Sequence, residues 1–306
     1  MNNLKIIVCS TFRDFKGTEN DEIQKVFLKS LENQTYKNFE IVVTLFGEKN
    51  VQNEVKKFKF DSYFYDSVID SNYRYSLTKV LLNTIEHANK KYDDYIIFWT
   101  TCDVIYDSNF FETIINNYNT NTIGTSHPHT TFSSLMKFEH KKENKNGKLF
   151  SGFDLIYFDK EFLENPKVKS SIEKYVFNDW GVFEHFLIAL SEFSNNLNMI
   201  NIYEQSEINK IENDRELTNE PNQFLINSHK LNSIVFNTFL DENKISNEYF
   251  DLTYCHLKFN ITIKKLSHYC KFSNDIFEYI KRKTRRIIVS LIPNNIKIII
   301  KKGIKK

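Results

Sequence analysis

Apolar residues in the first 190 positions recur in two spacings, one typical of buried strands and one typical of helices. Short apolar runs at 4–9, 41–43 and 95–99 are rich in β-branched and aromatic residues, which favours strands buried in a sheet. Apolar positions at helical spacing predict helices over about 21–33 and 76–90. Because strands and helices alternate along the chain, the pattern predicts an α/β domain.

Weaker patterns predict further elements of the same kinds. Strands are expected within 58–65, 122–126, 149–158 and 199–203, and helices after Ser108 and up to Leu190. The stretch 195–227 is otherwise polar and shows no clear period. Two later segments, 231–240 and 246–257, are expected to form elements of a C-terminal subdomain.

The rest of the chain is organised around the strand predicted at 95–99. It ends in the polar Thr100-Thr101-Cys102-Asp103, and a helix with Ser108 as its N-cap is expected next. In open α/β sheets, ligands bind just beyond the carboxyl ends of the strands, so Asp103 is a candidate site residue. The alternative is a core strand followed by a carboxylate that only caps a turn.

Composition sets outer bounds on the class of protein. A chain of 306 residues can bury a full core, and one α/β domain with a C-terminal extension is expected rather than two equal domains. The four cysteines are scattered without a Cys-x-x-Cys pair, which favours free thiols in a reducing compartment. With no leader-like N-terminus and no run of ~18 apolar residues, we expect a cytoplasmic protein.

Charge is distributed unevenly along the sequence. Residues 281–306 contain ten Lys or Arg and no Asp or Glu, whereas 1–280 contain 31 basic and 39 acidic residues, a net charge of −8. The tail alternates basic and apolar residues, which predicts a peripheral segment on an anionic membrane at the inner face of the cell. The alternative is a basic helix packed on the acidic body or on a partner subunit. Nucleic acid is not an expected partner, because the body is acidic.

One segment, 30–41, carries a recognisable motif. Its residues read Ser-Leu-Glu-Asn-Gln-Thr-Tyr-Lys-Asn-Phe-Glu-Ile, and they are expected to lead the chain from helix to strand, with Tyr36 and Phe39 covering the sheet edge. The segment closely resembles Ser-Leu-x-x-Gln-Thr-Tyr-x-Asn-(Phe/Trp)-Glu-Ile of family-2 glycosyltransferases. The resemblance implies a GT-A fold, a Rossmann-like mixed sheet flanked by helices, with a mainly helical C-terminal extension. It suggests a catalytic domain at 1–200, a subdomain on the acceptor side at 201–280 and the basic tail at 281–306.

The resemblance also implies an activity. Enzymes of this family move a sugar from a nucleotide-sugar donor to an acceptor, here a glycan or a lipid-linked acceptor in bacterial surface polysaccharide or lipooligosaccharide synthesis. The implied reaction is inverting and assisted by a divalent cation, Mn²⁺ or Mg²⁺. A homodimer is left open. Motifs of P-loop kinases, dinucleotide-binding dehydrogenases and serine hydrolases are absent from the sequence.

The family pattern assigns donor-side roles to residues of this chain. The positions that the pattern implies are Ser10, Thr11 and Arg13 after the first strand, Gly47 after the second, Arg74 or Lys79 near the donor phosphates, and Thr101 and Asp103 at the central turn. For either basic residue, a solvent-facing position on an amphipathic helix is the alternative. Asp103 and the late His256 are the implied metal ligands, and a packed or surface histidine is the alternative for the latter.

Two departures weaken the donor site that the resemblance implies. Thr101 stands where an Asp-x-Asp motif has its first carboxylate, and Leu45-Phe46-Gly47-Glu48 replaces an Asp-Asp-Gly-Ser turn. These losses support a rival hypothesis, a non-catalytic protein of the same fold that binds a nucleotide, a glycan or a partner enzyme.

Acceptor-side roles are implied by a second motif. Asn178-Asp179-Trp180 is similar to a Glu-Asp-Trp signature at a helix start, which implies Asp179 as the base and Trp180 as an acceptor contact. Asp179 could instead cap the helix that follows, and both interpretations place its carboxylate at a helix N-terminus. Glu184 ranks second as the catalytic carboxylate. Asp154 is expected either to bind an acceptor hydroxyl or to face solvent.

Overall fold

The computed structural model describes residues 4–68, 75–126, 129–131, 153–179, 181–202, 205–206, 208–211 and 223–259. Three predictions fall outside these residues: the roles of Arg74 and Trp180, and the membrane-binding tail at 281–306.

A mixed sheet of seven strands lies at the centre of the described chain, in the order β3-β2-β1-β4-β8-β6-β9. Its first four strands in sequence are parallel, and β8 runs antiparallel to both of its neighbours, β4 and β6. The strands are β1 (Lys5–Ser10), β2 (Phe39–Leu45), β3 (Asp61–Asp66), β4 (Tyr95–Thr100), β5 (Val104–Tyr106), β6 (Thr122–Thr125), β7 (His129–Thr131), β8 (Leu155–Asp159), β9 (Asn198–Asn201) and β10 (Ile208–Ile211).

Helices cover both faces of this sheet. They are α1 (Glu19–Glu32), α2 (Val51–Val55), α3 (Leu77–Lys91), α4 (Phe110–Asn117), α5 (Lys160–Glu164), α6 (Pro166–Lys174), α7 (Phe183–Ala189), α8 (Gln223–Asn243) and α9 (Leu252–Lys258), with 3-10 turns at Leu190–Phe193 and Asn247–Phe250. Successive side chains of a strand point to opposite faces, so Ile6 and Ile7 belong to two different cores. One core contains residues of α1 and α4, and the other contains residues of α3, α6, α7 and α8.

This architecture confirms the predicted fold class, an α/β protein with a mixed sheet between helices and a helical C-terminal region. Phe236, Phe239 and Leu240 of α8 are buried in the same core as α7, so the described part of the C-terminal segment completes that core. A domain boundary near residue 200 stays a prediction. No helix in the described ranges is long and apolar enough to cross a membrane.

A second, smaller sheet lies beside the first and has the order β5-β10-β7. Strand β10 runs antiparallel to β5, and Lys210 lies opposite Val104 in their register. Since Val104 directly follows Asp103, this pairing brings a lysine from late in the sequence next to the central turn.

Two helix starts differ from their predicted positions. Helix α4 has Asn109 rather than Ser108 at its N-cap, and the Ser108 carbonyl accepts a hydrogen bond from the Thr35 amide at 2.8 Å. Helix α7 begins at Phe183, with Val182 at the N-cap in a left-handed conformation of φ 53°. Asp179 is therefore not the N-cap of α7, because it lies four residues before that helix begins.

The motif at 30–41 connects α1, the first strands and the turn before α4. Gln34 is fully buried; its amide group donates to the Asp107 carbonyl at 2.7 Å, and its oxygen accepts from the Phe111 amide at 3.0 Å. The Tyr36 hydroxyl and the Asn38 amide both donate to the Leu4 carbonyl at the start of β1. These contacts give the motif a structural role, joining α1 and the start of β1 to the turn before α4.

Phe39 was expected to cover a sheet edge, and the structure corrects this. Strand β2 lies between β1 and β3, so Phe39 is on an interior strand. Its ring packs against Phe60 and Phe111, with centroid distances of 5.6 and 5.1 Å.

Glu40, the acidic residue of the motif, is a fully buried carboxylate with three partners. It accepts hydrogen bonds from His87 at 2.7 Å, Tyr92 at 2.7 Å and Lys91 at 2.9 Å. Burial acts to raise the pKa of Glu40, but the hydrogen bonds from His87, Tyr92 and Lys91 outweigh it and lower that pKa to about 2. The cluster joins β2 to the C-terminal end of α3.

We expect Glu40 to make stability depend on pH. A depressed folded-state pKa stabilises the fold above the ordinary glutamate pKa of about 4.3, and this contribution is lost as pH falls toward about 2. Glu40→Gln should lower the free energy of unfolding by roughly 2 kcal/mol at pH 7 and by progressively less between about pH 5 and pH 2. Denaturant unfolding at several pH values measures this. Glu86→Gln, an exposed partner of Lys90, is the control and should change little at any pH.

Candidate functional site

The candidate site begins where β4 ends. The Thr101 amide donates to the Asp154 carbonyl at 3.1 Å, and the Thr101 hydroxyl donates to Asp103 Oδ1 at 2.6 Å. Because β8 is antiparallel to β4, the residue before β8 lies at the same edge of the sheet as the residue after β4. Asp103 and Asp154 thus meet at the carboxyl ends of the parallel strands.

A lysine lies between these two carboxylates. Lys210 Nζ is 3.0 Å from Asp154 Oδ2 and 3.7 Å from Asp103 Oδ2, and the lysine side chain is only 7% exposed. A buried ammonium is costly unless it is paired with opposite charge, and here two carboxylates pair with it. Lys210 was not among the residues predicted from the sequence, although alternation in the short strand places it on the same face as the buried Ile208.

Asp154 is largely buried and paired with Lys210, so the alternative that it faces solvent was wrong. Its side chain is 13% exposed. Burial raises the pKa of Asp154; Lys210 opposes that effect, and the carboxylates of Asp103 and Glu184 add to it. Asp154 therefore holds its proton more tightly than an ordinary aspartate and depends on Lys210 to ionise.

Glu184 adds a third carboxylate from the first turn of α7. Burial raises the pKa of Glu184, while a hydrogen bond from the backbone at the helix start and the charge of Lys210 partly oppose the rise. The preceding residue, Phe183, packs on Trp99 with the ring centroids 4.9 Å apart, and Trp99 is the penultimate residue of β4, so α7 begins near the end of that strand. Glu184, which ranked second among the predicted catalytic carboxylates, is therefore close enough to Lys210 and Asp154 to act on them electrostatically.

Arg13 lies in the loop after β1 and is held there by a side chain that the sequence analysis also missed. Buried Gln24 of α1 accepts from the Arg13 amide at 2.7 Å and donates to the Arg13 carbonyl at 3.1 Å. Burial raises the pKa of Cys102 to about 12, and the charge of Asp103 adds to this, whereas the Arg13 guanidinium acts in the opposite direction. Arg13 is therefore close enough to the central turn to act on it electrostatically.

Two buried hydroxyls at this edge of the sheet have no hydrogen-bond partner among the described residues. They are Ser10 Oγ at the end of β1 and Ser126 Oγ just after β6. Ser10 lies opposite Thr100 in the β1–β4 register, beside the central turn. Since buried polar groups are nearly always hydrogen-bonded, such hydroxyls are suited to a polar ligand. Thr11, which follows Ser10, is partly buried.

Asp179 makes contacts that hold two segments together. Its Oδ1 accepts from the Tyr75 amide at 2.9 Å, its own amide donates to the Tyr75 carbonyl at 2.8 Å, and Ser228 Oγ of α8 donates to Oδ2 at 3.3 Å. Asp179 itself has φ 51°, a left-handed conformation that is uncommon for a residue with a side chain. The predicted role as base stays a prediction, but its expected place at a helix N-terminus was wrong.

The remaining donor-side predictions lie in different settings. Gly47 has φ 89° in the turn after β2, a left-handed conformation that glycine adopts without strain. Glu48 folds back on that turn, where its carboxylate accepts from the Phe46 amide at 2.6 Å. Lys79 is exposed on α3 and acts electrostatically on Glu86, which favours the solvent-facing alternative.

The predicted metal site does not fit the residues that are present. His256 is fully buried, and its ring stacks on Phe153 with the centroids 4.6 Å apart. In the part of the chain that the structure describes, no group of three or more His, Cys, Asp or Glu side chains could hold a metal ion. The space between Asp103 and Asp154, where a cation would be expected, is taken by the Lys210 ammonium.

Comparison with known proteins gives similarity of fold alone. No family model and no curated protein sequence matches the chain. Among solved structures, inositol-1-phosphate CTP transferase from T. maritima is 8% identical, with a TM-score of 0.39 over 74% of this chain and 96% of that one. The glycosyltransferase GlyE of Streptococcus pneumoniae TIGR4 is 12% identical, with a TM-score of 0.38 over 64% and 45% of the two chains. Mouse xyloside xylosyltransferase 1 is 11% identical, with a TM-score of 0.31 over 55% and 71%. Similarities this weak identify no function.

Proposed function

We propose that this chain is a glycosyltransferase that moves a sugar from a nucleotide-sugar donor to a glycan or lipid-linked acceptor, with inversion at the anomeric carbon. The observation that supports this most is the ion-pair cluster of Asp103, Asp154 and Lys210 at the carboxyl ends of β1 and β4, with Glu184 close enough to act on it electrostatically. Ligands of open α/β sheets bind at that edge. The cluster contains both a cation for a departing phosphate and carboxylates that can accept a proton.

On the donor side, the reaction breaks the bond between the anomeric carbon and the diphosphate oxygen. Negative charge then develops on the leaving nucleoside diphosphate, and positive groups fixed nearby lower the barrier to its departure. Arg13 is held at the rim of the site by Gln24, and the unpartnered hydroxyl of Ser10 lies at the end of β1. In our proposal Asp103 holds the Lys210 ammonium in position, and the Ser10 hydroxyl donates a hydrogen bond to the nucleotide sugar.

On the acceptor side, a hydroxyl oxygen attacks the anomeric carbon and a carboxylate takes its proton. We propose Glu184 for this role. Its raised pKa makes it a stronger base than an ordinary glutamate, and its charge acts on Asp154. Asp179, the base implied by the motif, has both carboxylate oxygens engaged by Tyr75 and Ser228, which is suited to positioning.

A lipid-linked acceptor in bacterial surface polysaccharide or lipooligosaccharide synthesis remains our proposal for the second substrate. It would account for the basic and apolar tail at 281–306, which we expect to lie on the anionic inner face of a cell membrane.

The test is release of nucleotide from a panel of UDP-, GDP-, CDP- and TDP-sugars, with and without manganese. We expect slow hydrolysis of one donor in the absence of acceptor, and faster release once a suitable acceptor is added. Asp103→Asn, purified in the same way, controls for contaminating hydrolases. A non-catalytic binding protein of this fold would bind a nucleotide and release none from any donor, and that result would refute the proposal.

A further inference from the structure

The cation that lies between the two carboxylates of this site is an amino group of the chain itself. Lys210 Nζ is 3.0 Å from Asp154 Oδ2 and 3.7 Å from Asp103 Oδ2. Only 7% of the lysine side chain is exposed. The remaining oxygen of Asp103, Oδ1, accepts the Thr101 hydroxyl at 2.6 Å. Both carboxylates therefore direct an oxygen at the same ammonium.

Backbone pairing fixes this position. Lys210 lies opposite Val104 in the antiparallel pair of β10 and β5, and it lies opposite Thr130 in the parallel pair of β10 and β7. A central strand hydrogen-bonded on both sides does not shift register without turning its side chains to the other face. Ile208, two residues earlier, is 1% exposed and anchors the same face of β10. The backbone of Lys210 is thus fixed beside the central turn, and its ammonium is held there by the two carboxylates.

A divalent ion would have to occupy the same space. Magnesium and manganese bind through one or two carboxylates together with phosphate oxygens of the substrate, so Asp103 and Asp154 would be the ligands here. An ion between their facing oxygens would lie within a few ångströms of Lys210 Nζ, and two cations at that separation repel strongly. Thr101 in place of a carboxylate removes a further ligand on the same turn.

We propose that Lys210 supplies the positive charge at this site in place of a divalent cation, so that the diphosphate of the donor is bound without metal. The inference rests on the proposed function and specifies how that site binds the diphosphate of the donor. Asp103 and Asp154 act as positioning residues for the ammonium. A lysine ammonium is a compact point charge with three N–H donors, which suits it to phosphate oxygens.

The first test uses the unmodified protein. Binding of UDP, GDP, CDP and TDP is measured by calorimetry in EDTA and again in excess manganese, and electron paramagnetic resonance measures whether the free chain takes up Mn²⁺. We expect one nucleotide to bind with the same Kd in both conditions, within about twofold, and we expect no Mn²⁺ uptake by the free chain.

The second test changes the lysine. Lys210→Met removes the charge at similar length and should weaken nucleotide binding in EDTA by about tenfold or more. Adding manganese should restore part of the lost nucleotide binding in Lys210→Met and in no other variant, because only there have the two carboxylates lost their cation. Lys210→Arg keeps the charge, so its nucleotide binding should be the same in EDTA and in manganese. Lys90→Met, at an exposed lysine of α3, is the matched control and should bind as the unmodified chain does. Thermal unfolding of each variant shows that it is folded.

The outcomes separate this inference from the proposed function. Nucleotide binding that EDTA abolishes and manganese restores in the unmodified chain would overturn the inference and leave the transferase proposal intact. Unchanged binding by a folded Lys210→Met variant would overturn it as well. A chain that binds no nucleotide or nucleotide sugar in either condition would refute the proposed function, and this inference with it. If Lys210→Met does not fold, the inference is tested by nucleotide binding of the unmodified chain in EDTA and in manganese.

Discussion

Asp103→Asn is expected to reduce kcat by at least about a hundredfold while leaving the fold unchanged. The amide keeps an oxygen that can accept the Thr101 hydroxyl, so the turn after β4 should survive. What disappears is the negative charge 3.7 Å from the Lys210 ammonium, and with it one of the two groups that fix this cation. The charge that should meet the leaving diphosphate is then misplaced in the transition state.

The measurement is steady-state transfer with the donor identified in the nucleotide-release panel, together with thermal unfolding. Asp107→Asn is a matched control, because it is the same substitution four residues further along and its side chain is exposed. That variant should keep full activity. A folded Asp103→Asn chain with normal turnover would remove Asp103 from the mechanism.

Glu184→Gln is expected to reduce kcat for transfer by about 10²–10⁴-fold, because a neutral amide cannot accept the proton of the acceptor hydroxyl. Nucleotide binding should change little. The unmodified chain should also gain activity as pH rises, since Glu184 must be ionised to act as a base. Burial raises the pKa of Glu184, so the acidic limb of the kcat profile should lie above the pKa of about 4.3 of an exposed glutamate.

Asp179→Asn gives the decisive comparison. Its Oδ1 can still accept from the Tyr75 amide, so the variant should fold and, on our assignment, retain most of its transfer activity. Loss of transfer in Asp179→Asn with normal transfer in Glu184→Gln would return the role of base to the residue that the motif implies. An acidic limb that persists in Glu184→Gln would show that another carboxylate, Asp154 among them, controls the pH profile.

Much of the fold was predictable because its elements are encoded locally. The apolar run at Tyr95–Thr100 and the helical spacing of Leu77–Lys91 can be read from neighbouring residues alone. The motif at 30–41 predicted the connection between α1 and β2, and Asp103 was placed correctly at a strand end. The wrong predictions concern features that depend on contacts between residues far apart in the sequence. Phe39 was assigned to an edge because the position of β3 beyond β2 is not visible in a local pattern.

The candidate site depended on tertiary structure to a greater extent. The sequence by itself determined which strand ends in a carboxylate and that Thr101 replaces a possible metal ligand. Only the folded chain pairs β10 with β5, across more than a hundred residues, and so puts Lys210 between Asp103 and Asp154. Residue spacing encodes the period of an element, whereas the register between distant strands and the burial that shifts a pKa arise from packing of the whole chain. For that reason the identity of the cation at this site was decided by the tertiary structure.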